Sequence, residues 1–311
     1  MSIAKSERFN PAIEVVGLRK SFGHQLALDG LDLRVETGQI AGFLGPNGSG
    51  KSTTIRILLG LLRAEAATVR VLGGDHWRDA VDLHRRIAYV PGDMNLWPNL
   101  TGGQIIDILG GLRGGANKAR RDELLQRFEL DPSKKARAYS KGNRQKVALV
   151  SALASDAELL ILDEPTSGLD PIMEAAFRAC IRDVQAQGRS VLLSSHIFAE
   201  VENLCDTVTI IRQGKTVESG TLAELRHLQR STVSVILDDP SANLSLVPGV
   251  NELVEKGGRA VFTVADADLG AVLAVLARWK PRALVASPPS LEELFLRHYS
   301  TELAADGVSV P

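Results

Sequence analysis

At 311 residues the chain is long enough for one large domain with a small one, or for two of middling size. Its formal net charge is −1 and aromatics make up 5% of residues, which argues against nucleic-acid binding by bulk charge or a stacking platform. No apolar run reaches the ~18 residues that span a bilayer, and residues 1–10 lack the apolar core of a signal sequence. Any work at a membrane therefore calls for spanning helices from another polypeptide.

In chain order, Ile13-Glu14-Val15-Val16 reads as a strand, and Leu31 to Val35 alternates as a half-buried one. Ile40 to Leu44 is a continuous apolar run that feeds Gly45-Pro46-Asn47-Gly48-Ser49-Gly50-Lys51-Ser52-Thr53, followed by the helical pattern Ile55 to Leu62. Strand, glycine-rich loop and helix are the context of a phosphate-binding loop. Glycines let successive backbone N–H groups turn toward phosphate oxygens, and the helix points its positive end at the same anion. Lys51 can then bridge the terminal phosphates and the Ser52 hydroxyl can ligate magnesium. The plain alternative is a glycine turn beside a surface lysine.

Thr68 to Leu72 and Ile87 to Val90 are further short strands, and Thr101 to Leu130 is a glycine-punctuated helical insert. Gly142 to Ala154 is another helix. Leu159 to Leu162 and Ser190 to Leu193 read as central parallel strands around the helix Ile172 to Gln187. Cys180 and Cys205 lack metal-ligand spacing and read as buried thiols in a reducing compartment. Val208 to Ile211 and Lys215 to Val217 form a hairpin through Gln213-Gly214. Beyond a boundary near residues 220–230, a small α/β domain follows. It holds strands at Val233 to Leu237, Ala260 to Val264 and Leu284 to Ala286, and helices at Leu269 to Trp279 and Leu291 to Tyr299. The expected layout is a nucleotide-binding domain at 13–225 with a helical subdomain at about 98–155, an accessory domain at 231–300, and flexible termini at 1–12 and 301–311.

A phosphate loop alone leaves kinases, GTPases, motors and transport ATPases open. The apolar run Leu159-Leu160-Ile161-Leu162 ends in Asp163-Glu164-Pro165, which delivers two carboxylates to the sheet edge where such folds bind ligands. Asp163 can hold magnesium, and Glu164 can polarise a water attacking the γ-phosphate. Tyr139-Ser140-Lys141-Gly142-Asn143-Arg144-Gln145 begins a helix 23 residues before Asp163. Read locally, its Ser140 is a helix cap or a phosphate contact.

Here the chain resembles the nucleotide-binding subunits of ATP-binding cassette (ABC) transporters. The serine-glycine segment resembles their signature sequence, in a variant form. Ser167-Gly168-Leu169-Asp170 resembles the D-loop, and Leu193-Ser194-Ser195-His196 places His196 at the switch position, 33 residues after Asp163. Phe22 matches the family's adenine-stacking aromatic, although by itself it reads equally as core. The resemblance implies ATP and Mg2+ as ligands and an α/β phosphate-loop core with a mixed sheet and a helical subdomain. Lys51, Glu164 and His196 would act in hydrolysis, with Ser52 and Asp163 on the metal. Residues 45–53, Phe22, Asp170, Ser140 and Gly142 would contact nucleotide, the last two across a dimer of like subunits. One departure is Pro91-Gly92-Asp93, where the family carries glutamine at Gly92; Asp93 and Asn95 are the nearest polar substitutes.

Pro289-Ser290-Leu291-Glu292-Glu293-Leu294-Phe295-Leu296 is a capping box opening an amphipathic helix, and it resembles the closing helix of ABC-2 type exporters. Tyr89 to Thr101 is similar to actinobacterial antibiotic exporter subunits of the tetronasin type. The implied protein is an ATPase at the cytoplasmic face of the membrane, working with separate ABC-2 type permease subunits in drug or antibiotic efflux. A non-transport ABC ATPase acting on ribosome or DNA is the alternative, but the chain shows neither a second cassette nor a long coiled coil.

Overall fold

The computed structural model describes residues 11–113, 115, 117–227, 230–237, 243–288, 290–293 and 295. The backbone forms two compact units, Met1–Ser219 and Gly220–Pro311. The first contains β1 (Ile13–Phe22), β2 (Gln25–Val35), β3 (Ile40–Leu44), α1 (Lys51–Leu58), β4 (Ala66–Val71), β5 (Gly74–Asp75), α2 (Ala80–Arg86) and β6 (Ile87–Val90). It continues with α3 (Gly102–Gly111), α4 (Lys118–Arg127), α5 (Lys141–Leu153), β7 (Leu159–Asp163), α6 (Pro171–Ala186), β8 (Ser190–Ser195), α7 (Phe198–Leu204), β9 (Thr207–Arg212) and β10 (Lys215–Thr221).

Two sheets build this unit. A six-stranded sheet runs β10-β9-β3-β8-β7-β6, and a four-stranded antiparallel one runs β2-β1-β4-β5. In the larger sheet β9, β3, β8, β7 and β6 pair in parallel, and the β9–β10 hairpin turns at Gln213-Gly214. Every residue of β3 and β7 is buried, as strands covered on both faces require. Inward residues of the small sheet, such as Ile13, Val15 and Leu33, share one core with Ile55 and Leu58 of α1 and with Phe43, Ile161 and Leu192 of the larger sheet. Each such aliphatic side chain contributes about 1.5–3 kcal/mol on burial. The parallel order puts the C-terminal ends of β3, β7 and β8 on one edge, the edge that carries the site.

Between β6 and β7 the chain leaves the sheet for α3, α4 and α5. The start of α3 follows from Thr101-Gly102-Gly103-Gln104: Gln104 N–H donates to Thr101 Oγ1 at 3.2 Å, and Thr101 N–H to Gln104 Oε1 at 2.9 Å. The α/β class with a mixed sheet and helical insert is as expected.

The second unit holds α8 (Leu222–His227), β11 (Ser231–Ile236), β12 (Asn251–Lys256), β13 (Arg259–Val264), α9 (Asp266–Arg278) and β14 (Ala283–Ser287). Its antiparallel sheet runs β12-β13-β11-β14 over a core of Val233, Val235, Phe262, Val272 and Leu276. The Ser290–Glu293 capping box is formed, with both reciprocal bonds at 3.1 Å.

Several local expectations change. The first two strands are longer than their apolar cores suggested, and β1 runs on to Phe22. Ala12, expected in a flexible terminus, is 1% exposed, and its carbonyl accepts Leu72 N–H at 2.8 Å. Residues 1–10 and 301–311, expected to be flexible, and most of the expected closing helix lie outside the described residues.

Candidate functional site

The phosphate loop leaves buried β3 at Gly45 and enters α1 at Lys51. Gly50 is the N-cap at φ 112°, a conformation L side chains rarely adopt, and a Cβ there would lie 2.6 Å from Leu28 Cδ2. Gly48 also takes positive φ, at 80°. The loop closes through Ser49 N–H on the Pro46 carbonyl at 3.2 Å. Lys51 is 6% exposed, and its Nζ donates to the Gly45 and Pro46 carbonyls at 2.5 and 3.1 Å. Burial pulls the Lys51 amine below its ordinary range, against the opposing pull of the Glu164 and Asp163 charges.

Asp163 closes β7 at 7% exposure, and its two oxygens are held separately. Ser194 Oγ donates to Oδ1 at 2.6 Å, and Ser52 Oγ donates to Oδ2 at 3.2 Å. The second bond brings the end of the phosphate loop to the end of β7. Ser194 is a site residue that the motif reading passed over. Strand alternation in Ser190 to Ser195, paired beside β7, was the signal that could have found it.

Glu164 takes φ 46°, a left-handed backbone costing a non-glycine residue about 1–3 kcal/mol. It is secured by its own N–H donating to the Ser194 carbonyl at 2.9 Å and by its carbonyl accepting Ser167 N–H at 3.1 Å. His196 Nδ1 lies 3.0 Å from Glu164 Oε1, with both side chains partly open to solvent. Against an ionised carboxylate Nδ1 carries the proton, leaving Nε2 as the outward nitrogen.

Phe22, Gln25, Leu26, Asn47, Gly48, Gly50, Lys51, Ser52, Thr53 and Glu164 line one cavity of about 480 Å³. The Phe22 ring is 48% exposed there, so the core alternative for it fails. Gly45 and Ser49 lie beneath the loop; the Ser49 hydroxyl is buried without a hydrogen-bond partner.

Ser140, Gly142 and Asp170 do not line this cavity. Ser140 caps α5, accepting Asn143 N–H at 3.3 Å. A Cβ on Gly142 would drive into the Gly168 carbonyl, so the α5 start packs backbone to backbone on the loop after β7. Gln145 Nε2 donates to the Pro165 carbonyl at 3.1 Å, and Lys141 Nζ to Ser167 Oγ at 2.9 Å, locking the two segments together. Asp170 Oδ1 caps α6, accepting the Ile172 and Met173 N–H groups at 3.0 Å each. Gly92 sits where a Cβ would lie 3.2 Å from the Asp163 carbonyl oxygen and 3.6 Å from Glu164 Cβ. Neither Asp93 nor Asn95 lines the cavity.

Comparison with known proteins adds two family matches: the ABC transporter model over residues 28–167, and the C-terminal domain of DrrA1-3-like ATP-binding proteins over residues 220–299. The daunorubicin resistance ATP-binding protein DrrA3 of Streptomyces coeruleorubidus is 34% identical over 299 residues, covering 92% of this chain and 95% of its own. The Nod factor export ATP-binding protein I of Ralstonia nicotianae is 33% identical over 305 residues, covering 94% and 95%. Among solved structures, an ATP binding subunit of an ABC transporter superposes with TM-score 0.65 at 30% identity, over 70% of this chain and 92% of that one.

Proposed function

The chain belongs to the ATP-binding subunits of ABC transporters, and on that premise we propose that it is the ATP-hydrolysing subunit of an ABC-2 type exporter. It powers efflux of drugs, antibiotics or other hydrophobic compounds through separate membrane subunits. The observation that carries the chemistry is the convergence of Lys51, Ser52, Asp163, Glu164 and His196 on one sheet edge. Relatives named for daunorubicin resistance and Nod factor export, matched over more than nine-tenths of the chain, support the direction. A ribosome- or DNA-directed ATPase is not favoured.

Phe22 would take the base of ATP, and the loop N–H groups and Lys51 would hold its phosphates. Ser52 and Asp163 supply hard oxygen donors that converge within 3.2 Å, a set that suits Mg2+, which takes one or two protein oxygens together with phosphate and water. When bound there, Mg2+ neutralises developing charge on the phosphates. Glu164 accepts the proton of the attacking water, and His196 holds that carboxylate in place through Nδ1. Ser140 and Gly142 face the nucleotide of a second subunit, homologous or identical, so that ATP joins the pair and loss of the γ-phosphate releases it.

Among the described residues, no helix is long and apolar enough to cross a membrane. An apolar cavity of about 510 Å³, lined by Leu59, Leu61, Val81, Tyr89, Leu109 and Leu112 with basic rim residues, suits a segment of the membrane subunit. Its Tyr89 lies three residues before Gly92. In the second unit, edge strand β14 is exposed along its length, with Leu284 and Val285 in solvent, which supports a role in subunit pairing.

The test is co-expression with a candidate ABC-2 type membrane subunit, measuring drug-stimulated ATPase and efflux. Both should appear with the wild-type chain and vanish with Lys51→Ala. Efflux unaffected by Lys51→Ala would sink the proposal.

A further inference from the structure

We propose that Glu200 is a positioning residue for hydrolysis: through the Ser195 hydroxyl it fixes the loop that holds His196 against Glu164. The inference rests on the hydrolytic roles given above to Glu164 and His196.

Ser195 is the junction. It is 2% exposed, ends β8, and immediately precedes His196. Its Oγ donates to Glu200 Oε2 at 2.6 Å and accepts Ile197 N–H at 3.0 Å, so the residues on either side of His196 are clamped to one hydroxyl. Its backbone carbonyl accepts Gly45 N–H at 3.4 Å, where the phosphate loop begins. A single carboxylate thus orients the hydroxyl that sets the peptides flanking His196, beside the first residue that cradles phosphate.

Glu200 occupies the third position of α7, where a glutamate commonly reaches back to the N-cap N–H. Here that N–H, from Ile197, is taken by Ser195 Oγ, and Glu200 reaches the N-cap only through the hydroxyl. Its other oxygen, Oε1, is buried with no hydrogen-bond partner. Burial pushes the Glu200 carboxyl upward, opposed by the Ser195 and Thr166 hydroxyls. A buried carboxyl that desolvation disfavours is a poor stabilising device, and the contact the geometry gives it is the hold on the Ser195 hydroxyl.

Glu200 also lines a cavity of about 250 Å³ together with Glu164, Ser195 and His196. The relay therefore lies beside the carboxylate that His196 contacts. Displacement of about 1 Å at such a site costs on the order of 100-fold in rate.

The experiment uses the full chain and compares Glu200→Ala, Glu200→Gln, Ser195→Ala, the Glu200→Ala/Ser195→Ala double variant and His196→Ala. The measurements are kcat and KM for ATP hydrolysis, affinity for a fluorescent ATP analogue, and Tm. Glu200→Ala and Ser195→Ala should each lower kcat about 10- to 100-fold with analogue affinity within about twofold. The double variant should fall no further than either alone. Glu200→Gln, whose amide oxygen still accepts from Ser195, should recover most of the rate. Wild-type kcat in Glu200→Ala, additive losses in the double variant, or Glu200→Gln as slow as Glu200→Ala would overturn the proposal. If Glu200→Ala fails to fold, Ser195→Ala and Glu200→Gln decide. Full turnover in His196→Ala would overturn the underlying reading as well, whereas a dead His196→Ala with an active Glu200→Ala would overturn only this one.

Discussion

His196 Nδ1 stands 3.0 Å from Glu164 Oε1 because β7 and β8 pair in parallel with Asp163 opposite Ser194. Each of the two functional side chains leaves its strand just past that rung. The same rung supplies Ser194 Oγ to Asp163 and the Ser194 carbonyl to Glu164 N–H. One register therefore sets the acid pair, its hydroxyl support and the histidine, and a one-residue slip would turn all of them to the wrong face.

Removing that hydroxyl should weaken metal use. Ser194→Ala leaves Asp163 Oδ1 without its 2.6 Å donor, while Ser52 still reaches Oδ2. Loss of a supporting bond of this kind costs about 10- to 100-fold in metal affinity. A Mg2+ titration of ATPase activity should shift to higher concentration by that factor, and an unchanged midpoint would contradict the assignment.

Phe22 is 48% exposed and lines the cavity beside the glycine-rich loop, so its ring contributes little to folding. Stacking of a base on an aromatic is worth about 1–3 kcal/mol. Phe22→Ala should weaken ATP binding by roughly 5- to 150-fold with little change in Tm, as read by calorimetric titration alongside a thermal scan.

Gly142 packs on the Gly168 carbonyl with no room for a methyl group. Gly142→Ala should cost about 1–3 kcal/mol, as overpacking does, visible as a lower urea midpoint. It should also weaken nucleotide-dependent pairing, measured by light scattering with ATP, because the α5 start is displaced.

Both cysteines are buried and free. Burial pushes Cys180 up to about 11 and shifts Cys205 upward too. The unfolded thiol, near pKa 8.5, releases its proton first as pH rises, so the native state binds more protons above that point. Stability should decline above about pH 8.5, at up to about 1.4 kcal/mol per pH unit for each thiol, until the native thiol itself titrates. Replacing Cys180 by Ala should flatten that decline in urea melts at pH 8 to 10, and both thiols should resist a thiol reagent at pH 8 until denatured.

The parts of this protein legible in the sequence are those where one chemical demand dominates. The runs Ile40 to Leu44 and Leu159 to Leu162 need burial on both faces, and Gly45 to Thr53 needs glycine at fixed places. What stayed hidden depends on tertiary pairing. β12 (Asn251–Lys256) carries two glutamates and a lysine, and only β13 beside it makes it a strand. Glu200 carries no motif, and Ser194 reads only as the approach to His196; their meaning comes from what Ser195 and β7 bring against them. Gly92 was readable as a departure from the family pattern, but that a side chain there would press on the Asp163 carbonyl was not.

The central claim is that Glu164 is the base of an ATP site completed by a second subunit. Glu164→Gln tests it most directly, with ATPase rate, ATP binding and oligomeric state measured together in the presence of the membrane partner. Turnover should fall by about 100-fold or more while ATP stays bound and an ATP-loaded dimer accumulates. Wild-type turnover, or a monomer with ATP bound, would contradict it.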